Sequence, residues 1–173
     1  VLFYLVDITG HGLDSAMLSI FVRETINSYL LSLNHQGKEL TSAKEVVEFI
    51  YDQYCQENFP EEYFICICLG IIDLNSMQIN LCNTGLHIPP FMVNKRGQIQ
   101  RLKKIWFPIT NTIDKESFNF DSMKEDVINL KKGETLFITT DGLVEESVSN
   151  NMYGENRVEA NLKLNYNLPP DLI

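Results

Sequence analysis

Two aspartates stand where an apolar run ends and a glycine-containing turn begins. Asp7 closes the run at residues 1–7, and Asp141 follows the run at residues 135–140 and precedes Gly142. A carboxylate at the end of a buried strand costs free energy unless it is capped, paired or bound to a metal. The local sequence leaves two structural roles open beside metal binding. These are an Asx-type turn at Asp7 and the N-cap of a helix at Asp141.

The cysteines could supply thiol or metal chemistry, but the pattern around them favours a structural role. Cys66, Cys68 and Cys82 lie in apolar strand-like runs, while Cys55 lies in a helical segment. Cys66 and Cys68 are two residues apart and share one strand face. A zinc site would need two further ligands at suitable spacing, and the sequence offers none. The pattern therefore indicates buried, reduced thiols in a cytoplasmic protein.

The overall composition is that of a folded, acidic domain. The 173 residues are 45% hydrophobic and carry 14 Lys and Arg against 23 Asp and Glu, which gives a formal net charge of −9. This charge argues against nucleic acid or an anionic lipid surface as the main partner. No apolar run approaches the roughly 20 residues that cross a bilayer. The first six residues are too short, and lack the basic flank, for a signal peptide.

The elements that must position these residues follow from the periodicity of the apolar positions. Without internal repeats or flexible linkers, the chain is predicted to form one domain over residues 1–173. Consecutive helices are grouped apart from consecutive strands, which predicts an α+β fold. Ser42 and Glu45 are three apart, as in a capping box. The predicted helices cover 13–33, 43–56, 143–148 and 155–164, and the predicted strands cover 1–7, 63–73, 78–83, 88–93, 98–102, 125–130 and 135–140.

Both ends of the sequence predict an incomplete domain. Val1 already lies inside a strand-like run rather than before one. Residues 168–173 have the prolines and the acid of a helix start, but no residues follow in which that helix could continue. We therefore expect the domain to be truncated at its N and C termini.

Four segments together resemble the motifs of the metal-dependent protein phosphatase 2C superfamily. The resemblance is stronger to its bacterial branch, typified by the sporulation stage II E phosphatase and the sigma-B regulators. The segments occur in the family's order and span nearly the whole chain, and the second has one extra residue. They are Asp-Ile-Thr-Gly-His-Gly at 7–12, Asn-Thr-Gly-Leu-His-Ile-Pro-Pro at 83–90, Leu-Phe-Ile-Thr-Thr-Asp-Gly at 136–142 and Tyr-Gly-Glu-Asn-Arg at 153–157.

The resemblance implies a four-layer α-β-β-α sandwich of two antiparallel sheets flanked by helix pairs. The helices at 13–33 and 43–56 would cover one of these sheets. It also implies a phosphoprotein phosphatase that uses two Mn²⁺ or Mg²⁺ ions. Such ions prefer oxygen ligands, and they activate water and neutralise phosphoryl charge.

The same resemblance assigns roles to individual residues. Asp7 would bridge both metal ions and the backbone carbonyl of Ile8 would bind one of them, while Asp141 would hold one ion from the opposite side. These two aspartates are the predicted catalytic residues. Small residues would let the backbone pass close to the site, and they are Gly10, Gly12 and Gly142.

The histidines do not inherit a catalytic role from the resemblance. Eukaryotic relatives place a histidine two residues after the aspartate, where Thr9 stands here, whereas His11 lies four residues after it. A supporting role for His11 in the turn or helix start is favoured over general acid catalysis, which stays open. His87 is expected to support the site from its Pro-Pro turn, and His35 is expected to face solvent.

By resemblance, the parent enzyme is a cytoplasmic protein serine/threonine phosphatase of bacterial signalling. Its implied substrate is a phosphorylated anti-sigma-factor antagonist. An upstream sensory domain is expected, and homodimers and a membrane tether in the full-length protein stay open. The family's upstream Gly-Asp segment and its downstream Asp-Asp pair do not occur in the 173 residues. We therefore expect weak ion binding and an inactive isolated fragment.

Two other functions stay open at this point. The first is a degenerate phosphatase domain that binds a regulatory partner without hydrolysis. The second is an unrelated α+β ligand-binding domain in which the acidic strand ends act as caps. The second predicts that no facing sheets bring Asp7 near Asp141.

Overall fold

A computed structural model describes residues 1–10, 12–148 and 151–169. No helix in these ranges is both long enough and apolar enough to cross a membrane. The helices are α1 (Leu13–His35), α2 (Ala43–Glu57), α3 (Lys115–Phe118), α4 (Gly142–Glu145) and α5 (Glu155–Asn165), with a 3₁₀ turn at Phe120–Ser122. The strands are β1 (Leu2–Ile8), β2 (Ile65–Asp73), β3 (Gln78–Thr84), β4 (Phe91–Val93), β5 (Ile99–Arg101), β6 (Asp126–Asn129), β7 (Thr135–Phe137), β8 (Ser147–Val148) and β9 (Asn151–Met152).

The strands form two main antiparallel sheets. The first has the order β1-β2-β3-β6, and the second has the order β5-β4-β7. A small third pair joins β8 to β9. β2 and β3 are connected as a hairpin in which Asp73 faces Gln78. The first sheet is the larger, because its three longest strands have seven to nine residues and those of the second sheet have three.

The two sheets pack face to face and helices cover their outer sides. Helices α1 and α2 bury their apolar faces against the first sheet, in a core that includes Val22, Ile50 and Ile67. A second apolar cluster joins the sheets, with Leu81 of β3 near Leu136 of β7. On the far side, α5 packs on the second sheet. The α-β-β-α order is confirmed, although α5 alone, rather than a helix pair, provides that outer layer in the described part of the chain.

The start of α2 is capped as its sequence predicts, with one difference. The Ser42 hydroxyl accepts a hydrogen bond from the backbone N–H of Glu45 at 3.2 Å. The Glu45 carboxylate accepts a hydrogen bond from the Tyr29 hydroxyl at 3.2 Å instead of completing the reciprocal half of the box. This contact links α2 to α1 across the outer layer.

Prolines explain why two predicted strands are shorter than expected. The strand predicted at 88–93 begins only at Phe91, whose register partner is Phe137. Extending this ladder would place Pro90 opposite Ile138, and proline has no N–H to donate. β7 consequently ends at Phe137 rather than at Thr140. The helix predicted over 143–148 is also wrong in extent, because α4 ends at Glu145 and is followed by β8.

One arginine attaches α5 to the edge of the second sheet. Arg101 of β5 forms ion pairs with Glu155 at 2.8 Å and with Glu159 at 2.6 Å. Its guanidinium also lies 5.5 Å from the centre of the Phe91 ring. Charge-assisted pairs of this kind are directional and fix the helix in place.

Candidate active site

Asp7 and Asp141 line one cavity, although they come from different sheets. Asp7 lies next to the end of β1, opposite Cys66 on β2. Asp141 lies after β7, directly before α4. The cavity has a volume of about 210 Å³. Stacking of the two sheets therefore brings together two carboxylates that are far apart in the sequence.

Asp141 does not use its side chain to cap α4. It occupies the N-cap position, but its carboxylate makes no capping hydrogen bond. Its backbone carbonyl accepts hydrogen bonds from the N–H groups of Val144 and Glu145, both at 2.8 Å. The helix start is thus satisfied by the backbone, and the carboxylate is left to face Asp7. The N-cap role that the sequence left open is not found.

Asp7 does not form an Asx turn. The Thr9 N–H that such a turn would engage donates to the carbonyl of Phe64 at 3.3 Å. The Thr9 hydroxyl in turn accepts from the Phe64 N–H at 2.9 Å. These bonds fix the end of β1 to the segment that enters β2.

The cavity concentrates negative charge in a partly dry environment. Burial raises the pKa of Asp7 above its usual 3.8, and the nearby Asp141 carboxylate and the charge of Glu145 raise it further, while the Ile8 N–H acts in the opposite direction. Burial, followed by the charges of Asp7 and Asp141, raises the pKa of the Cys66 thiol to about 12. The charge of Asp141 acting on Asp7, and the charges of both carboxylates acting on Cys66, give the cavity a negative potential that would favour a positive ion.

The opposite wall of the cavity is a tight turn after β3. Gly85 has a φ of +82°, and a Cβ there would lie 2.8 Å from Cys66 Sγ and 2.9 Å from Pro108 Cγ. The Asn83 side chain holds the turn, because it donates to the Leu86 carbonyl at 3.3 Å and accepts from the Leu86 N–H at 3.2 Å. Only glycine fits at position 85 without displacing these neighbours.

The family model of stage II sporulation protein E (SpoIIE) matches residues 1–173. The chain belongs to the SpoIIE family. The alternative of an unrelated α+β ligand-binding domain is therefore wrong, and the facing sheets and the shared cavity of Asp7 and Asp141 argue against it independently. A sequence comparison with curated proteins gives no match.

Solved structures share this SpoIIE-family fold. The SiaA-PP2C domain of Pseudomonas aeruginosa is 17% identical, with a TM-score of 0.77 over 99% of this chain and 63% of that one. The PP2C phosphatase domain of SpoIIE from Bacillus subtilis, solved with a regulatory fragment, is 17% identical, with a TM-score of 0.64 over 94% and 43%. The catalytic domain of the serine/threonine phosphatase PstP with two manganese ions is 14% identical, with a TM-score of 0.51 over 97% and 83%.

The fold is therefore that of PP2C phosphatases, and the chain spans less than two thirds of the length of the first two structures. At these identities the likeness concerns the fold. Which residues act, and on what, has to be argued from the cavity of this SpoIIE-family chain.

The other predicted site residues have different surroundings. Ile8 lines the cavity beside Asp7. Gly10 and Gly12 have φ values of +86° and +84°, which favour glycine, and Gly12 is the N-cap of α1. A Cβ on Gly142 would meet only Thr140 Oγ1 at 3.5 Å, an ordinary contact, so sterics do not require glycine there. His11 lies outside the described residues.

His87 and several cavity residues differ from what sequence reasoning expected. His87 lines the cavity, but its side chain is exposed at the rim rather than packed beneath the site. Cys66 and Thr9 line the cavity, and Glu145 acts on Asp7 through its charge, although the sequence did not assign any of them to the site. Cys66 lies opposite Asp7 once β1 and β2 are paired, and Glu145 follows Asp141 by four residues.

The two carboxylates fit a hard divalent cation as part of its ligand set. Asp7 and Asp141 supply oxygen donors from opposite sides, as Mg²⁺ and Mn²⁺ prefer. Burial first, and then the charge of Asp141, raises the pKa of Asp7, and a bound cation would offset the second of these effects. Across residues 1–10, 12–148 and 151–169, no cluster of three or more His, Cys, Asp or Glu side chains could hold a metal.

Proposed function

We propose that this chain carries the catalytic centre of a metal-dependent protein serine/threonine phosphatase. The observation that carries the proposal is the shared cavity of Asp7 and Asp141, whose carboxylates approach from two sheets in a SpoIIE-family chain. Neither carboxylate serves as a cap or an Asx turn. Keeping two like charges together without a structural task favours a role in binding a cation.

In the proposed mechanism, Asp7 and Asp141 would hold Mn²⁺ or Mg²⁺ in the cavity. When bound, such ions supply a nucleophilic water and neutralise charge on the phosphoryl group. The hydrogen bonds between Thr9 and Phe64 fix the end of β1 and thereby the backbone that carries Asp7. The rigid turn at Gly85 closes the opposite wall. We expect further oxygen ligands from residues other than those the structure describes, since two carboxylates do not complete the coordination of two ions.

The proposed substrate is a phosphoserine or phosphothreonine on a regulatory protein of the anti-sigma-factor antagonist type. Membership of the SpoIIE family supports a signalling role, and a cavity of about 210 Å³ with the exposed His87 at its rim is open to a protein-borne phosphate ester. An enzyme of this type would act in the cytoplasm, beside its phosphoprotein substrate.

A phosphatase-like domain that binds a partner without hydrolysis is the second candidate. The observation in its favour is the small set of ligands, because only Asp7 and Asp141 meet in the cavity within the described part of the chain. A domain with too few ligands would keep the fold and a docking surface, yet it would not turn over a phosphate ester.

The deciding experiment measures hydrolysis of a phosphoserine peptide by the purified full-length protein in Mn²⁺ and in EDTA. We expect activity in Mn²⁺ alone, which Asp7→Asn and Asp141→Asn each abolish. Asp121→Asn is the matched control, since Asp121 is exposed in the 3₁₀ turn outside the cavity, and it should retain full activity. Activity in EDTA, or full activity in both cavity variants, would contradict the metal-dependent mechanism. No hydrolysis in any metal, with partner binding intact, would instead favour the non-catalytic domain.

A further inference from the structure

A second cavity, which we call the Trp106 pocket, opens on the helix-covered side of the first sheet. Its volume is about 250 Å³. It has a sulfur-containing floor, an indole wall and a rim of three lysines. The residues that define it are Cys82, Met123, Trp106, Lys103, Lys104 and Lys124.

The floor of the Trp106 pocket is apolar and electrically neutral. Cys82 is 2% exposed and Met123 is 4% exposed, and their sulfur atoms lie 3.3 Å apart. Burial raises the pKa of the Cys82 thiol to about 12, so the thiol stays protonated at neutral pH. An apolar side chain entering the pocket would therefore meet polarizable sulfur without having to displace a charge.

The wall of the pocket is rigid before any ligand arrives. The backbone N–H of Trp106 donates to the Asn83 carbonyl at 2.8 Å, and its carbonyl accepts from the Gly85 N–H at 2.9 Å. The indole Nε1–H donates to the Phe118 carbonyl at 2.9 Å. Backbone and ring are both held, so binding would cost little ordering of this residue.

The rim is basic in a strongly acidic chain. Lys104 is engaged by Asp126 at 3.1 Å. Lys103 and Lys124 are exposed, and neither forms an ion pair within the described ranges. Glu125 and Asp126 lie close enough to act on Cys82, so the positive charge that the rim offers a partner is that of Lys103 and Lys124, in a chain with a net charge of −9. Complementary potentials would steer an acidic partner towards the rim.

Exposed apolar side chains lie at the edge of the pocket, where Ile105 lines it, and beyond it at Phe107. Ile105 is 41% exposed and Phe107 is 53% exposed, on either side of Trp106. A small anion would leave these exposed apolar side chains in water, whereas a polypeptide would cover them. The volume is also below the roughly 300–1,000 Å³ of small-molecule sites, and it suits a single anchoring side chain.

We propose that the Trp106 pocket binds an acidic segment of a partner protein. One large apolar side chain of that segment enters the pocket against Trp106 and Met123. Carboxylates on either side of it pair with Lys103 and Lys124. This proposal is independent of the phosphatase activity and can be tested in a protein that lacks it.

Trp106 is the only tryptophan in the chain, so its fluorescence reports directly on the pocket. The probe is a blocked heptapeptide with three acidic residues on each side of a central phenylalanine. We expect a saturable fluorescence change with a Kd of about 10 μM to 1 mM, weakening as salt is added. Peptides with alanine in place of phenylalanine, or with lysine in place of the acids, should bind at least about tenfold more weakly.

Charge-reversal variants locate the binding. The double variant Lys103→Glu, Lys124→Glu should bind the acidic peptide at least about tenfold more weakly. Lys38→Glu with Lys132→Glu is the matched control, because these exposed lysines lie outside the pocket and change the net charge equally. The control should stay within about twofold of the unaltered protein, as should Asp7→Asn.

Three results would overturn the proposal. The first is no saturable fluorescence change with the acidic peptide. The second is equal weakening in both double variants, which would mean that net charge alone drives binding. The third is tighter binding of a decameric deoxythymidine strand than of the peptide, which would make the pocket a nucleic-acid site.

Discussion

The cavity at Asp7 and the Trp106 pocket adjoin the same short segment, the end of β3 and the turn that follows it, but they are opposite in charge. Gly85 and Leu86 line the first, whereas Asn83 lines the second. In the first, sheet pairing fixes the backbone of Asp7 in β1, and the backbone hydrogen bonds at the start of α4 fix that of Asp141. In the second, the ammonium groups of flexible lysine side chains surround a neutral floor.

The difference shows how each kind of charge must be positioned. Like charges repel, so Asp7 and Asp141 stay together only because two packed sheets determine where their backbones lie. The lysine rim needs no such constraint, since flexible cations can adjust to an anionic ligand as it binds. We therefore expect the acidic cavity to be sensitive to small backbone changes and the Trp106 pocket to be sensitive mainly to charge.

The largest expected effect separates the two cavities by function. Asp7→Asn should lower hydrolysis of a phosphoserine peptide in Mn²⁺ by about 10²–10³-fold, since the lost ligand removes several kcal/mol of transition-state stabilisation. Steady-state kinetics measures the rate, and Trp106 fluorescence in the same variant measures acidic-peptide binding. Loss of both functions in this variant would mean that the cavities are not independent.

A second substitution tests the rigidity of the segment between them. Gly85→Ala should lower the free energy of unfolding by about 2–4 kcal/mol, because the methyl group would meet Cys66 and Pro108 in a strained backbone. Gly133→Ala is the control, with a similar φ of +81° but only an ordinary 3.5 Å contact to Lys95. It should cost about 1–2 kcal/mol. Urea unfolding measures both, and equal losses would refute a steric role for Gly85.

The buried thiols of the two cavities should make the free energy of unfolding depend on pH in the alkaline range. Cys66 and Cys82 each have a pKa raised from 9.0 to about 12 in the folded protein. The folded state therefore binds these protons more tightly than the unfolded state does. The resulting contribution to the free energy of unfolding is fully present below pH 9.0 and decreases as the pH rises above it. Each thiol should contribute a slope of about −1.4 kcal/mol per pH unit.

Urea unfolding between pH 9 and pH 10.5 measures these slopes. Cys66→Ala and Cys82→Ala should each make the slope shallower by one thiol's share. A change with Cys82→Ala but none with Cys66→Ala would mean that water reaches the acidic cavity and that only the Trp106 pocket has a dry floor.

The smallest expected effect concerns the metal itself. Mn²⁺ should raise the Tm of the protein by a few degrees relative to EDTA, which corresponds to about 1 kcal/mol for a chain of this size. Asp141→Asn should lose this response, and in EDTA it should melt above the unaltered protein because its repulsion with Asp7 is gone. Calorimetry measures each Tm. The Lys103→Glu, Lys124→Glu double variant should show the same rise in Tm with Mn²⁺ as the unaltered protein. A smaller rise would mean that the two cavities are not independent.

Elements that bury a complete face could be predicted from the sequence. The bounds of α1, α2, β2 and β3 agree with prediction to within two residues, because apolar spacing over many residues determines them. The short strands β4 and β7 could not be bounded in this way. Their length depends on which residues pair across the sheet, and Pro90 ends that ladder from the partner strand.

The two cavities also differ in how far they could be predicted from the sequence. Asp7 and Asp141 were predicted to act together from their motifs, whereas their actual meeting depends on how the two sheets stack, a long-range property that periodicity does not contain. The Trp106 pocket was missed altogether. Its floor, wall and rim come from β3 and two separate parts of the segment 103–124, which lies outside every predicted helix and strand.

The unequal sheets also set the order in which the protein should open. The second sheet has three-residue strands and is attached to α5 by a small apolar cluster and the ion pairs of Arg101. In native-state hydrogen exchange, we expect β4, β7 and α5 to exchange together before the long strands β1, β2 and β3. Each such opening carries Asp141 away from Asp7. A cation bound to both carboxylates would then act as a crosslink between the layers, and it would slow exchange throughout the weaker half.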